Sequence, residues 1–240
     1  MTRRAVVVGA SSGIGMELAR QLAAEGYELG LVARRKGLLD KLASELPTRC
    51  WVHPLDISAS NEAIAGLSTL LRDMESVDLV VLNAGIGFLN RKLKWEHEKA
   101  TILTNVEGFA ACAGVAWAHF VERGGGHLVG ISSVAALRGG NQAPAYAASK
   151  AFVANYLEGL AGISHQRKLG IAVTDIRPGF VDTPMTKGQK GMFWVAEPQV
   201  AARQIVRAIR CRRRVAYVTR RWVIVAALMR ILPHWIYRKL

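Results

Sequence analysis

Cysteine is scarce in this chain: Cys50, Cys112 and Cys211 are odd in number, far apart and outside any CxxC pattern. They read as reduced thiols of a cytoplasmic protein rather than as a disulfide framework. The 6 histidines have no ligand spacing, so no metal site is predicted. Linkers, internal repeats and low-complexity stretches are missing, and Gly124-Gly125-Gly126 reads as a turn before a strand. The first strand begins at Ala5, which leaves no room for a signal peptide or transit sequence. The apolar run from Trp222 to Met229 is far shorter than the ~20 residues that span a bilayer. Acid is in short supply too, with 18 Asp and Glu against 32 Lys and Arg. What is abundant is apolar content: 51% of 240 residues is enough for one large α/β domain.

The chain opens on Ala5-Val6-Val7-Val8, which reads as a buried parallel strand. Gly9-Ala10-Ser11-Ser12-Gly13-Ile14-Gly15 follows, then a helical pattern from Met16 to Glu25. Strand, glycine-rich turn and helix in this order are the context of a dinucleotide site. The glycines let backbone approach a pyrophosphate, the helix N-terminus supplies unpaired N–H groups, and Ser11 and Ser12 can add hydroxyl donors.

The second strand, Glu28 to Ala33, ends in Arg34-Arg35-Lys36. An acid at this place would accept the ribose 2′-OH of NAD, but Ala33 stands there with Arg34 beside it. A guanidinium suits the 2′-phosphate of NADP, so NADP(H) is expected and NAD(H) is the alternative. Further strands run into Asp56-Ile57, Asn83-Ala84-Gly85, Ser132-Ser133 and Arg177-Pro178-Gly179. In an open parallel sheet all of these would lie along the carboxyl edge, where ligands bind.

Tyr146 and Lys150 complete the pattern. Four residues apart on a helix, they share a face. A phenol is a poor acid or base near neutrality, and an adjacent ammonium is expected to pull its pKa down into use.

With these residues assembled, the chain resembles the short-chain dehydrogenase/reductase family in its compact single-domain form. The likeness covers roughly residues 4 to 186. It rests on Gly9-x-x-x-Gly13-Ile14-Gly15, Asn83-Ala84-Gly85, Asn105, Ser133, Tyr146, Lys150 and Pro178-Gly179. The resemblance implies a doubly wound Rossmann α/β domain, a parallel sheet of about seven strands with helices on both faces. It implies that Tyr146 is the general acid or base, that Lys150 lowers its pKa and holds the nicotinamide ribose, and that Ser133 holds the substrate oxygen. Asn105 would hold a water relaying protons to Lys150. Asp56 and Ile57 would contact adenine, Asn83 to Gly85 would lie beneath the adenosine ribose, and Pro178, Gly179, Val181 and Thr183 would seat the carboxamide. A homodimer or homotetramer pairing the helix of Tyr146 is expected.

Two departures stand out. The family's threonine before the first glycine is Val8, and its doubled asparagine is Leu82-Asn83. Altered hydrogen bonding between strand ends is expected, not lost catalysis. The Gly-rich ending of the acyl-carrier-protein reductases is absent, which counts against that role.

The division expected is a catalytic domain over 1–220, a substrate lid at 184–198 carrying Met185, Met192, Phe193 and Trp194, and a basic, apolar C-terminal helix over 221–240. The lid side chains favour an apolar substrate. From Pro198 onward there are eleven Arg and Lys and no acid. Nucleic-acid binding is not expected, because no recognition motif accompanies the charge. Arginines and tryptophans flanking Val223 to Met229 suit a helix in a membrane interface; the other reading packs it on the substrate mouth or a partner subunit. The activity expected is hydride exchange between NADP(H) and a lipophilic carbonyl or alcohol. The alternatives are the same chemistry on a sugar or hydroxy acid, or a cofactor-binding scaffold without turnover.

Overall fold

A computed structural model describes residues 3–188 and 191–237. These residues form one seven-stranded sheet in the order β3-β2-β1-β4-β5-β6-β7, and every neighbouring pair is parallel. The strands are β1 (Arg4–Val8), β2 (Glu28–Ala33), β3 (Cys50–Pro54), β4 (Leu79–Leu82), β5 (Gly126–Ile131), β6 (Ile171–Pro178) and β7 (Val215–Val218). The helices are α1 (Gly13–Ala24), α2 (Lys36–Glu45), α3 (Ser60–Asp73), α4 (Trp95–Ile102), α5 (Phe109–Glu122), α6 (Pro144–Arg167), α7 (Pro198–Arg210), α8 (Trp222–Ile231) and the single turn α9 (His234–Tyr237). A π-helical segment, Leu103–Gly108, joins α4 to α5, and a 3₁₀ turn, Val134–Leu137, follows β5.

Strand side chains alternate between faces, and here both faces are covered. Ala5 and Val7 of β1 face α1, α2 and α7, packing with Leu18, Leu22, Leu39, Ile205 and Ile209. Val6 and Val8 face α3, α5 and α6, packing with Leu67, Leu70, Phe120, Val153 and Leu157. That is why β1 reads as an unbroken apolar run. The chain passes from β1 outward to β3, then returns to place β4 on the other side of β1. This reversal opens a crevice at the carboxyl ends of β1 and β4. The doubly wound parallel fold expected from the sequence is the fold observed.

Candidate functional site

A cleft of about 480 Å³ opens at that crevice. One set of lining residues comes from the turn after β1: Gly9, Ser11, Ser12, Gly13 and Ile14. Gly9 has φ +91° and Gly13 φ +57°, the left-handed region that glycine tolerates. Gly15 stands behind the lining. A Cβ there would meet the Gly9 carbonyl oxygen at 2.1 Å and Asn83 Nδ2 at 2.5 Å. Asn83 Nδ2 donates to that same oxygen at 2.9 Å, and the Asn83 and Ala84 amides donate to Val8 O. The strand ends are therefore knitted through backbone and Asn83, with no need of a threonine at Val8. Ser12 is the N-cap of α1 but makes no side-chain cap bond, so the first N–H groups of α1 are left to a ligand in the cleft.

Gly15→Ala therefore presses a methyl onto a backbone carbonyl that has no rotamer to escape into. It should cost at least about 1–3 kcal/mol. At about 2–4 °C per kcal/mol for a chain of this size, a thermal melt will register it, whereas Gly37→Ala, inside α2 with nothing within 4 Å of its Cβ, should melt at or slightly above wild type.

Two arginines meet the cleft beyond the turn. Arg34 lies 3.7 Å from Asp56, and both are substantially exposed. Burial works to raise the Asp56 carboxyl, but bonds from the Ser58 amide and hydroxyl, with the Arg34 charge, hold it below its usual value. Arg35, which the sequence reading passed over, donates to Ser11 Oγ at 2.8 Å and Ser12 Oγ at 3.0 Å. Both guanidiniums line the cleft with Asp56, Ile57, Asn83, Ala84 and Gly85.

The opposite wall brings Ser133, Tyr146 and Lys150 together with Pro178, Gly179, Val181 and Thr183. Thr183 touches the glycine turn, since a Cβ on Gly13 would lie 3.0 Å from its Cγ2. Ser133 caps the 3₁₀ turn, accepting from the Ala135 amide at 3.1 Å. Lys150 is buried, and its Nζ donates to Ile131 O at 2.8 Å. Burial lowers its pKa to about 8, against the opposing pull of the Asp175 carboxylate.

Tyr146 departs from expectation. Burial pushes its phenol above the ordinary value, and the Ser133 hydroxyl, by hydrogen bonding, partly offsets this. Lys150 is the group expected to lower it. Its Nζ is tethered to the end of β5, 5.8 Å from the Tyr146 ring centre, and desolvation outweighs it.

Asn105 comes from the segment that joins α4 to α5. It sits buried in the π-helical segment, a distortion often found at functional sites. Its Oδ1 accepts from Ile86 N at 2.8 Å; its Nδ2 donates to Ile86 O at 2.7 Å and Ser149 Oγ at 3.0 Å. Ser149 in turn donates to Tyr146 O at 2.8 Å. The amide clamps the loop after β4 to α6, behind the cleft wall.

A second layer was missed altogether. Ser132 Oγ bonds Asp175 Oδ1, and Arg177 Nε donates to Asp175 Oδ2 at 2.6 Å, with both charged groups buried. Arg177 also donates to the Tyr217 hydroxyl at 3.3 Å. The signal was present, since Asp175 and Arg177 are two apart on β6 and so share a face.

The expected lid and tail meet each other. Val181 bridges Ala196, and the Asp182 and Ala196 amides bond across, tying together the two ends of the segment between them. Residues 189–190 of the lid and 238–240 of the tail lie outside the described residues. Trp222 of α8 is buried against Gly179, whose Cβ would lie 1.9 Å from the indole. It stacks on Phe193 at 5.0 Å and meets Phe180 and Trp194 edge-on at 5.5 and 6.1 Å. Of the two readings of the tail, its inner side thus packs at the mouth of the cleft.

Comparison with known proteins agrees with this geometry. The family model described as short chain dehydrogenase matches residues 3–192. An uncharacterized oxidoreductase of Myxococcus xanthus is 39% identical over 189 residues, 77% of this chain and 74% of that protein. Another, from Mycobacterium tuberculosis, is 35% identical over 251 residues, 100% of this chain and 98% of that one. Among solved structures, a short-chain dehydrogenase from Sphingobium yanoikuyae in complex with NADPH superposes with TM-score 0.80 at 25% identity, covering 97% of each chain. One from Burkholderia phymatum in complex with NAD gives 0.84 at 22%, covering 94% of this chain and 92% of that one. A parallel sheet reversing at β1 and β4, a glycine turn at its edge and a match running from the first strand past the cleft's last wall lead to one conclusion: this chain belongs to the short-chain dehydrogenase family.

Proposed function

We propose that this protein transfers a hydride between NADP(H) and a lipophilic carbonyl or alcohol, with Tyr146 as the proton donor or acceptor. The observation that carries the reading is the single cleft whose walls hold both a glycine turn with Arg34 and Arg35, and Ser133, Tyr146 and Lys150. The turn fits a pyrophosphate, because a side chain at Gly9 or Gly15 would strike backbone and α1 begins with unclaimed N–H groups. The cofactor would supply the hydride; the protein orients and polarises.

During reduction, Tyr146 gives its phenolic proton to the carbonyl oxygen, and Ser133 donates a hydrogen bond to the same oxygen as charge develops. Lys150 stabilises the phenolate left behind. Asn105 we assign to positioning, since its amide is engaged by Ile86 and Ser149. Ile86, Phe88, Pro184 and Met185 give the substrate part of the cleft an apolar wall, which favours a lipophilic substrate over a sugar. NADPH consumption across carbonyls from small polar compounds to long-chain aldehydes tests the whole reading. Turnover confined to polar carbonyls would remove the lipophilic substrate, and cofactor binding without turnover in either direction would point to a scaffold.

The NADP preference has its own test. Arg34→Ala should weaken NADPH by about tenfold to a hundredfold, the worth of a charge-assisted bond, and leave NADH nearly unchanged. Arg35→Ala should act in the same direction, because its guanidinium lies over Ser11 and Ser12. Parallel losses for both cofactors in titrations of the two variants would overturn the 2′-phosphate role.

A further inference from the structure

α8 is apolar on the wrong side. Its inner edge, Trp222 and Ala226, is buried, and a surface helix normally turns polar residues outward. Here Ile224, Leu228 and Ile231, spaced four and three apart, are each half or more exposed, and so is Trp235 just beyond. Arg220, Arg221 and Arg230 are exposed around them.

This side does not end with α8. Arg138 bonds Leu232 O, and the Tyr237 hydroxyl donates to Gly139 O at 2.9 Å, fastening the tail to the loop before α6. Across that loop the Asn90 amide donates to Gln142 O at 2.7 Å, fastening the segment after β4. That segment exposes Leu89, Leu93 and Trp95 by more than half. Arg91, Lys92 and Lys94 lie exposed between them, with Glu96 as the neighbouring acid. Two apolar stretches studded with cations are thus joined side by side through one loop. Nucleic acid would use the cations and leave the aliphatic side chains in water. A second copy would bury the aliphatics but bring like charges together in a chain of net charge +14. An anionic lipid surface accepts both, with aliphatic and indole groups at the acyl boundary and arginines at the headgroups.

We propose that the outer side of α8 and the loop after β4 dock together on the surface of an anionic membrane. No helix among the described residues is long and apolar enough to cross a bilayer, so the contact is peripheral. The docking does not depend on turnover, so it can be tested apart from the catalytic reading.

The test is flotation of the full-length protein with vesicles of phosphatidylcholine, with and without phosphatidylglycerol. Wild type should float with the anionic vesicles and detach as salt rises. Ile224→Glu with Leu228→Glu, both at exposed positions, should lower the binding constant by at least about tenfold, because burying aliphatic side chains at the interface is worth more than one such factor. Its thermal melt should match wild type. Leu93→Glu, on the separate loop, gives the same readout should the double variant fail to fold. Absence of wild-type flotation, or equal flotation of the folded variants, would overturn the proposal. So would a wild-type dimer that ignores vesicles and becomes monomeric in the double variant, since the occupant would then be a second copy.

Discussion

Tyr146→Phe should reduce carbonyls at least about 10²-fold more slowly than wild type, the usual worth of a positioned proton donor, while binding NADPH with unchanged affinity. The substitution removes one oxygen and keeps the ring, which packs against the loop after β4: a Cβ on Gly87 would lie 2.6 Å from it. Stopped-flow turnover and a fluorescence titration of cofactor separate the two effects, and equal activity would remove Tyr146 as the donor. The pH profile sharpens the assignment. Burial keeps the phenol protonated above its ordinary value, so Tyr146 does not limit reduction at moderately alkaline pH. Lys150 is expected to, because its pKa is brought down to about 8. Below that pH the ammonium is present to stabilise the phenolate; above it the charge is lost. Reductive kcat/KM should therefore fall as pH rises through about 8. In Lys150→Arg, whose guanidinium stays charged, any residual activity should keep its rate to higher pH. An unmoved alkaline limb would assign it to another group.

Asp175→Ala should cost ~3–5 kcal/mol, the penalty for leaving one member of a buried ion pair unpaired. Arg177 would keep its buried charge beside the neutral Tyr217 hydroxyl, and Ser132 Oγ would retain Ile176 O at 3.1 Å. A thermal melt should fall by roughly 10 °C or more, at about 2–4 °C per kcal/mol. Asp175→Ala with Arg177→Met should recover a large part of that loss, because removing both charges leaves nothing uncompensated. The single variant should also shift the alkaline limb of reduction to lower pH, since Asp175 is the charge that opposes the burial of Lys150. A melt unchanged from wild type would show that the pair contributes little.

Much of this is legible in the sequence. β1, β2 and β4 are compact β-branched or leucine-rich runs bounded by turn residues, and such runs declare themselves locally. The glycine turn did so as well, because the left-handed backbone at Gly9 and Gly13 admits few other residues. β7 was not placed: Val215 to Val218 is four residues between arginine-rich stretches, and only pairing with β6 makes it a strand. Arg35 was passed over because two adjacent arginines at a strand end look alike in sequence. Which one bends back to Ser11 and Ser12 depends on the path of the turn after Ala33.

The sequence by itself determined the order of the strands from β1 to β6 and the identity of the polar groups at the sheet's carboxyl edge, because periodicity, glycine and strand ends are local properties. Only the tertiary structure decided how those groups behave. It raised Tyr146 by burial where adjacency to Lys150 suggested lowering, turned Asn105 toward Ile86, and set Asp175 behind Ser132. It also laid Trp222 on Gly179, leaving the far side of α8 bare. Each of these outcomes depends on desolvation or on contact between residues distant in the chain, and neither is carried by spacing along a strand or helix.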